Sequence, residues 1–561
     1  MALEKGISFG LTGAPTGHNR SVPLDSRELF PLAPLMATIQ QSTRAWPPSG
    51  TRERIGMFLG PLLFVGTGLL LGTQGLSPEA CWTGGVVVLM ATWWMTEPIP
   101  LWVTGCIPLA AYPLIGAAEV HEVALQYLDP VNWLFLGGML IAASMQQWGL
   151  HRRIALGIIS VIGASPRRIV LGFMLATAFI SLWISNTATT VMMFPIGMAV
   201  LLKLSEQSGP NHPDLRAFGL SLMLGIAYAA SIGGIGTKIG TAPNIIMVKQ
   251  AQEVLGYDID FATWLAIGLP LVLIALPIVY LFLVRIAAPV PASGFAGSAE
   301  VIAQERAGLG RMNVGERIAL VGFLSAALLW IFRKDIELDT FTIPGWSRLW
   351  TFGWEDFLGQ PVEALPAALG RLMKQDVGDA AVGMSVAIAL LLIPVTFRPF
   401  RTALDISRVA SVPWHLLILL GGGLAMAFGM QQSGLSTYLA SLLQGVGPVD
   451  PYVAFLLVSF SSLLLTEVAS NVATASILVP LVAAGSESFG LHPAPLMFAA
   501  TLTASFGFML PAGTPPNAIV YSSGYITVPQ MVRAGLAVDL FGALLVATYC
   551  YLFVPSILGI G

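Results

Sequence analysis

The sequence predicts an all-α polytopic membrane protein built from two copies of one unit in opposite membrane orientation, and three observations carry that prediction. The chain of 561 residues is 55% hydrophobic and only 10% charged, against about a quarter charged in soluble domains, and its mean hydropathy is +0.77. Apolar runs near the ~20 residues that a helix needs to cross a bilayer recur along the whole length. A unit of sequence is also repeated: adding 285 to the residue number carries Ser185, Asn186, Ala188, Thr189 and Pro195 onto Ser470, Asn471, Ala473, Thr474 and Pro480. The same shift takes Gly137-Gly138 onto Gly422-Gly423 and MQQWGL at 145–150 onto MQQSGL at 430–435. A second echo follows each copy, SIGGIGTKIGTAPN at 231–244 and SFGFMLPAGTPPN at 505–517.

Composition excludes several classes of function. The net charge of −3 and the scattered basic residues give no nucleic-acid surface,. The three cysteines, Cys81, Cys106 and Cys550, sit in apolar context without metal spacing, and the histidines form no HExxH or paired-ligand pattern,. An intramembrane hydrolase would need a base beside a nucleophile such as Ser185 or Ser470, and no His or Asp accompanies either at matching positions,. The residues therefore give no sign of an enzyme.

In chain order, residues 1–54 form a polar, Arg-containing segment without a signal-peptide core, read as a cytoplasmic tail,. The first half, 55–287, opens with an apolar span next to Arg44, Arg52 and Arg54, and positive charge beside the first span places the N-terminus inside,. Later arginines agree: Arg152, Arg153, Arg167 and Arg168, then Arg285, Arg306, Arg311 and Arg317, then Arg398, Arg401 and Arg408, then Arg533 fall on the inner side,. Residues 288–312 read as an internal linker, 313–411 as connecting spans around an external insertion at 335–378, and 412–561 as the second repeat.

This alternation closes only if the motif stretches are re-entrant hairpins, the first at 169–202 and the second at 452–484, each interrupted by its Ser-Asn pair and its proline. About eleven spans plus two hairpins result, with an external C-terminus. Backbone broken at membrane depth is tolerated only where it lines a cavity or is buried in protein. Two such breaks per half, the second ones at 240–244 and 513–517, point to one shared polar site. Exposed helix N-termini there attract anions, and unwound carbonyls with neutral Ser, Asn and Thr oxygens suit a small hard cation such as sodium.

SNTATT with GTAPN, SNVATA with GTPPN, and the phrases ATWWMTEPIPLWVTGCIPL at 91–109 and LPAGTPPNAIVYSSGYI at 510–526 resemble the divalent anion:sodium symporter family of di- and tricarboxylate transporters. The resemblance spans about residues 55–555. It implies a homodimer of scaffold domains in the plasma (inner) membrane and a transport domain that carries its site across by an elevator motion. The implied cargo is a carboxylate of the succinate, malate, fumarate or citrate class, with sodium as the coupling ion. One sodium would use Ser181, Ser185, Asn186 and Gly240, and the other Thr466, Ser470, Asn471 and Gly513. Substrate carboxylates would meet Asn186, Thr187, Ser470, Asn471, Thr514 and Pro515. Sodium-independent dicarboxylate exchange, or carriage of sulfate or another inorganic divalent anion, are the alternatives.

Three positions depart from the pattern. Val472 stands where the first copy has Thr187, removing a hydroxyl. Ala242 replaces the first proline of TPPN, which is expected to loosen that helix break. Lys238 lies three residues before Thr241, and a lysine at membrane depth is costly. It is a candidate coupling modifier that supplies the positive charge of a sodium ion or meets the substrate directly; the plainer reading is a side chain that snorkels to the surface.

Overall fold

Helices dominate the computed structural model, which describes residues 50–560 outside 164, 209–211, 257, 292–297, 339–340, 348–376, 445–448, 487–489 and 512. Most of the expected N-terminal tail and the larger part of the 335–378 insertion therefore lie outside the described residues. Among the described residues nine helices are long and apolar enough to cross a membrane. The only strands there are two antiparallel pairs, Ile336–Leu338 with Phe341–Ile343 and Pro394–Phe397 with Phe400–Thr402.

Helix starts are written in the sequence. Ser77-Pro78, Asp129-Pro130, Ser165-Pro166 and Asp450-Pro451 each place a proline at the first helical position, where its missing N–H costs nothing, behind a residue able to cap,. His212-Pro213 and His492-Pro493 open the corresponding helices of the two repeats in the same way.

Each repeat contains a helix pair and a broken helix. In the first, Pro166–Ser181 and Asn186–Ser208 are joined by residues 182–185, and Pro213–Gly234 is separated from Ala242–Leu255 by a non-helical stretch. In the second, Pro451–Val468 is followed by Asn471–Ser486, and Pro493–Thr503 is separated from Pro515–Tyr521. The sequence reading needs correction on the prolines: Pro195 and Pro480 interrupt nothing and lie inside continuous helices. Only the Ser-Asn pairs mark the turns. A proline deletes one helical hydrogen bond and pushes against the preceding turn, which bends a helix before it ends it.

Burial sorts the helices into centre and rim. In the apolar window of Pro213–Gly234, 89% of residues are buried, against 17% for Thr51–Thr73, so the former runs through the middle and the latter presents Phe58, Leu62 and Leu69 outward. The duplicated Gly-Gly pairs allow two close helix crossings. A Cβ at Gly137 would come within 2.7 Å of the Gly383 backbone, and a Cβ at Gly422 within 2.3 Å of the Gly105 backbone. Small residues let helix backbones approach where lipid provides no hydrophobic driving force.

Replacing Gly137 or Gly422 with Leu is therefore expected to lower stability by about 1–3 kcal/mol or more through overpacking against main chain that cannot move aside. Thermal unfolding of the purified protein checks this, with Gly157→Leu as the control because a Cβ there meets nothing within 4 Å.

Candidate cation and anion site at the paired helix breaks

The two breaks repeat each other bond for bond. Ser181 Oγ donates to the Ala230 carbonyl at 2.6 Å and stands 2.9 Å from Asn186 Oδ1. Thr466 Oγ1 donates to the Ala504 carbonyl at 2.6 Å and stands 2.9 Å from Asn471 Oδ1. A hydroxyl has one proton, which the shorter bond uses. The second contact is satisfied when the asparagine turns its Nδ2 to the hydroxyl, since amide orientation follows the hydrogen-bond network.

The next residues cap the helices that follow. Ser185 Oγ accepts from Ala188 N at 3.4 Å and Ser470 Oγ from Ala473 N at 3.2 Å, as N-caps do,. Helices Asn186–Ser208 and Asn471–Ser486 thus begin at the motif, and their N-terminal N–H groups carry the positive end of the helix dipole. Asn186, Thr187, Ser470 and Asn471 are half-buried, Thr514 is buried and Pro515 exposed.

The second asparagine of each repeat holds the broken helix. Asn244 Nδ2 donates to the Gly234 and Thr237 carbonyls at 3.0 and 2.7 Å. Asn517 Nδ2 donates to the Gly507 and Leu510 carbonyls at 3.0 and 3.1 Å. Adding 273 carries Gly234, Thr237 and Asn244 onto Gly507, Leu510 and Asn517, so the clasp is also duplicated. Thr241 and Thr514 take matching extended conformations, φ −146° and −137°. The Ala242 substitution consequently does not loosen the first break, because Pro243 and the Asn244 clasp hold it.

Among the described residues several buried side-chain oxygens have no hydrogen-bond partner, and four of them form two repeat-related pairs. Asn244 Oδ1 matches Asn517 Oδ1, and Ser231 Oγ matches Ser505 Oγ. Orphaned oxygens in equivalent places of both repeats need an explanation, and neutral oxygen donors are what a sodium ion takes.

The first expected cation set is brought together tightly. A Cβ on Gly240 would lie 2.4 Å from Gly234 O and 2.9 Å from Ser181 O, and one on Gly234 would lie 2.3 Å from the side-chain amide of Asn186. In the second set Gly513 is looser, with Glu467 O 3.8 Å and Glu467 Oε2 3.9 Å from its Cβ position, while Gly507 faces Thr466. The halves also interlock: Asn186–Ser208 packs on Pro515–Tyr521, and Asn471–Ser486 packs on Ala242–Leu255. Each hairpin arm of one repeat therefore meets the second half-helix of the other.

Lys238 is placed differently from both sequence readings. It neither snorkels nor faces the half-buried asparagines; its ammonium is 3% exposed with its residue and pairs with Asp379 at 2.8 Å. Of the anchors of the second break, the sequence offers Glu467, beside Thr466, as a candidate to orient the second hairpin, and gives no sign of Asp539. Phe508 N donates to both carboxylate oxygens of Asp539, at 3.2 and 3.3 Å, and Met509 N donates to Glu467 Oε1 at 3.2 Å. The buried ring of Tyr228 packs on Phe508 at 4.4 Å between centroids. The recurring Asn of TAPN and TPPN is the sequence signal for the paired clasps.

Residues 54–559 match the family described as the sodium:sulfate symporter transmembrane region. The chain is similar to the sodium-dependent dicarboxylate transporter SdcS of Staphylococcus saprophyticus, 37% identical over 511 residues, 91% of this chain and 92% of that protein. It is also similar to the SdcS of Staphylococcus aureus, 36% identical over 516 residues, 91% and 93% of the two chains. Among solved structures, the YdaH transporter of Alcanivorax borkumensis aligns with a TM-score of 0.51 at 15% identity over 84% of this chain and 98% of that one, a likeness of fold alone.

Asn244→Ala and Asn517→Ala each strip two buried carbonyls of their donor, and each is expected to destabilise the protein by about 1–3 kcal/mol or more. Thermal unfolding in detergent checks this. Asn→Asp at the same positions, which keeps shape but loses the Nδ2 donors, should be no better tolerated.

Proposed function

The chain belongs to the sodium:sulfate symporter family, and from that premise we propose that this multi-pass integral membrane protein moves di- or tricarboxylates of the succinate, malate, fumarate or citrate class together with sodium. The relatives named for sodium-dependent dicarboxylate transport support the cargo and the ion. The single observation that carries the reading is the duplicated break with its paired unpartnered oxygens.

In this reading one sodium sits among Ser181, Ser185, Asn186 and Gly240 and another among Thr466, Ser470, Asn471 and Gly513. The substrate carboxylates lie against Asn186, Thr187, Ser470, Asn471, Thr514 and Pro515, where helix N-termini favour negative charge. Each asparagine amide turns an oxygen to the cation and an N–H to the anion. Burying a dianion uncompensated is costly, so sodium bound first makes the site hospitable to substrate. In this reading the chain's crossings are Thr51–Thr73, Pro78–Thr96, 101–115, 120–148, the two broken helices, 261–287, Val314–Ile331, Asp379–Leu392, His415–Gln432 and Val528–Leu552. With the two hairpins they make an inverted repeat in the plasma (inner) membrane, dimeric through a scaffold, with the transport domain moving as an elevator.

Uptake of labelled succinate into proteoliposomes is expected to rise steeply with external sodium at fixed ionic strength and to be competed by unlabelled dicarboxylate more strongly than by sulfate. Asn186→Ala and Asn471→Ala should each reduce it roughly tenfold or more, the scale of losing a group that shapes an ion site. Uptake driven equally by internal dicarboxylate without sodium would instead mark an exchanger.

The arginine bias places the N-terminus inside and the 335–378 insertion outside,. A cysteine at Ser347 should react with an impermeant thiol reagent in intact cells. Reaction only after permeabilisation would reverse the topology.

A further inference from the structure

The first break is fastened to its surroundings by charge, and the second is not. Lys238 Nζ meets Asp379 Oδ2 at 2.8 Å, and Arg333 Nε meets the other oxygen, Oδ1, at 2.7 Å. All three residues are buried, 3%, 6% and 2% exposed. The series continues through Arg333 to Asp258 at 3.6 Å and from Lys334 to Asp258 at 2.8 Å and Asp260 at 3.9 Å. Among the described residues these pairs alternate three cations, Lys238, Arg333 and Lys334, with three anions, Asp379, Asp258 and Asp260. Between residues 505 and 525 of the second repeat there is no Asp, Glu, Lys or Arg.

Asp379 is itself rigidly held. It begins the helix Asp379–Leu392, and its carbonyl accepts from Trp330 Nε1 at 2.9 Å. The helix packs on Val314–Ile331 and Pro130–Trp148, outside both broken helices. Lys238 is one peptide away from Thr237, whose carbonyl is held by Asn244 and whose hydroxyl donates to the Leu182 carbonyl in the turn of the first hairpin. Whatever fixes Lys238 therefore fixes both walls of the first proposed cation site.

We propose that Asp379, gripped by Arg333, is a positioning residue that sets the geometry of the first sodium site through Lys238. Because Asp379 neutralises the ammonium, the lysine does not take the place of a cation, and the site still requires its sodium. A buried ion pair is poor evidence of stability but good at enforcing one arrangement of the elements that it joins. The inference rests on the sodium-coupled reading above.

Lys238→Met is the informative variant, since it leaves the Asp379–Arg333 pair intact. Sodium-dependent thermal stabilisation of the purified protein without substrate gives the sodium half-saturation, and proteoliposome uptake gives KM and kcat. The expected result is a sodium half-saturation raised roughly 10–100-fold, the usual effect of removing an outer support of an ion site, with the slope of the sodium dependence unchanged. Asp379→Asn should move it the same way, and Lys238→Arg and Asp379→Glu should recover most of the loss. A Lys238→Met protein with wild-type sodium half-saturation would overturn the proposal. So would a steeper sodium dependence, which would mean that the lysine had stood in for an ion. A wild type indifferent to sodium would instead defeat the functional reading. The succinate half-saturation of the same variants would then decide the positioning role, an unchanged value refuting it.

Discussion

Main chain broken inside an apolar body must find its hydrogen-bond partners in the protein, and this requirement organises the whole molecule. In lipid each unmatched N–H or C=O costs several kcal/mol. Both repeats meet the requirement with one device: an asparagine just past the break whose Nδ2 gathers two carbonyls, and a hydroxyl one hairpin away that closes a third. Those amides are then spent on structure. What remains, among the described residues, is a set of buried side-chain oxygens without a hydrogen-bond partner, Asn244 Oδ1 with Asn517 Oδ1 and Ser231 Oγ with Ser505 Oγ.

The two halves solve the remaining electrostatics differently. The second break gives its N–H groups to the buried carboxyl groups of Glu467 and Asp539, so hydrogen bonds to acidic side chains hold it. The first carries its own positive side chain and is held by Asp379. Two breaks that descend from one sequence are thus held by different side chains while keeping one geometry.

Much of the fold was legible because membrane helices announce themselves by composition, and because duplication separates signal from chance. Ser185-Asn186 and Ser470-Asn471 stood out only because both copies kept them. Pro195 and Pro480 misled, since a proline within an apolar run does not distinguish a kink from a turn; the adjacent Ser-Asn, which offers the cap, does. The Lys238–Asp379 pair was invisible for a different reason. Its members are 141 residues apart, one in the first break and the other at the start of Asp379–Leu392, and a lone lysine in a sequence does not reveal its counter-ion. Asp539 lies 31 residues beyond the Phe508 amide that it accepts from, on a span that reads as ordinary apolar helix. Local pattern carries caps, breaks and faces, whereas the pairing of charges depends on packing.

The most direct test of two duplicated cation sites is equilibrium binding of labelled sodium to the purified protein, without substrate or membrane gradient. Saturable binding is expected in the wild type, reduced in Asn186→Ala, reduced in Asn471→Ala, and abolished when both are changed, with every protein folded. Absence of saturable binding in the wild type, or undiminished binding in the double variant, would contradict the assignment of the paired breaks as sodium sites.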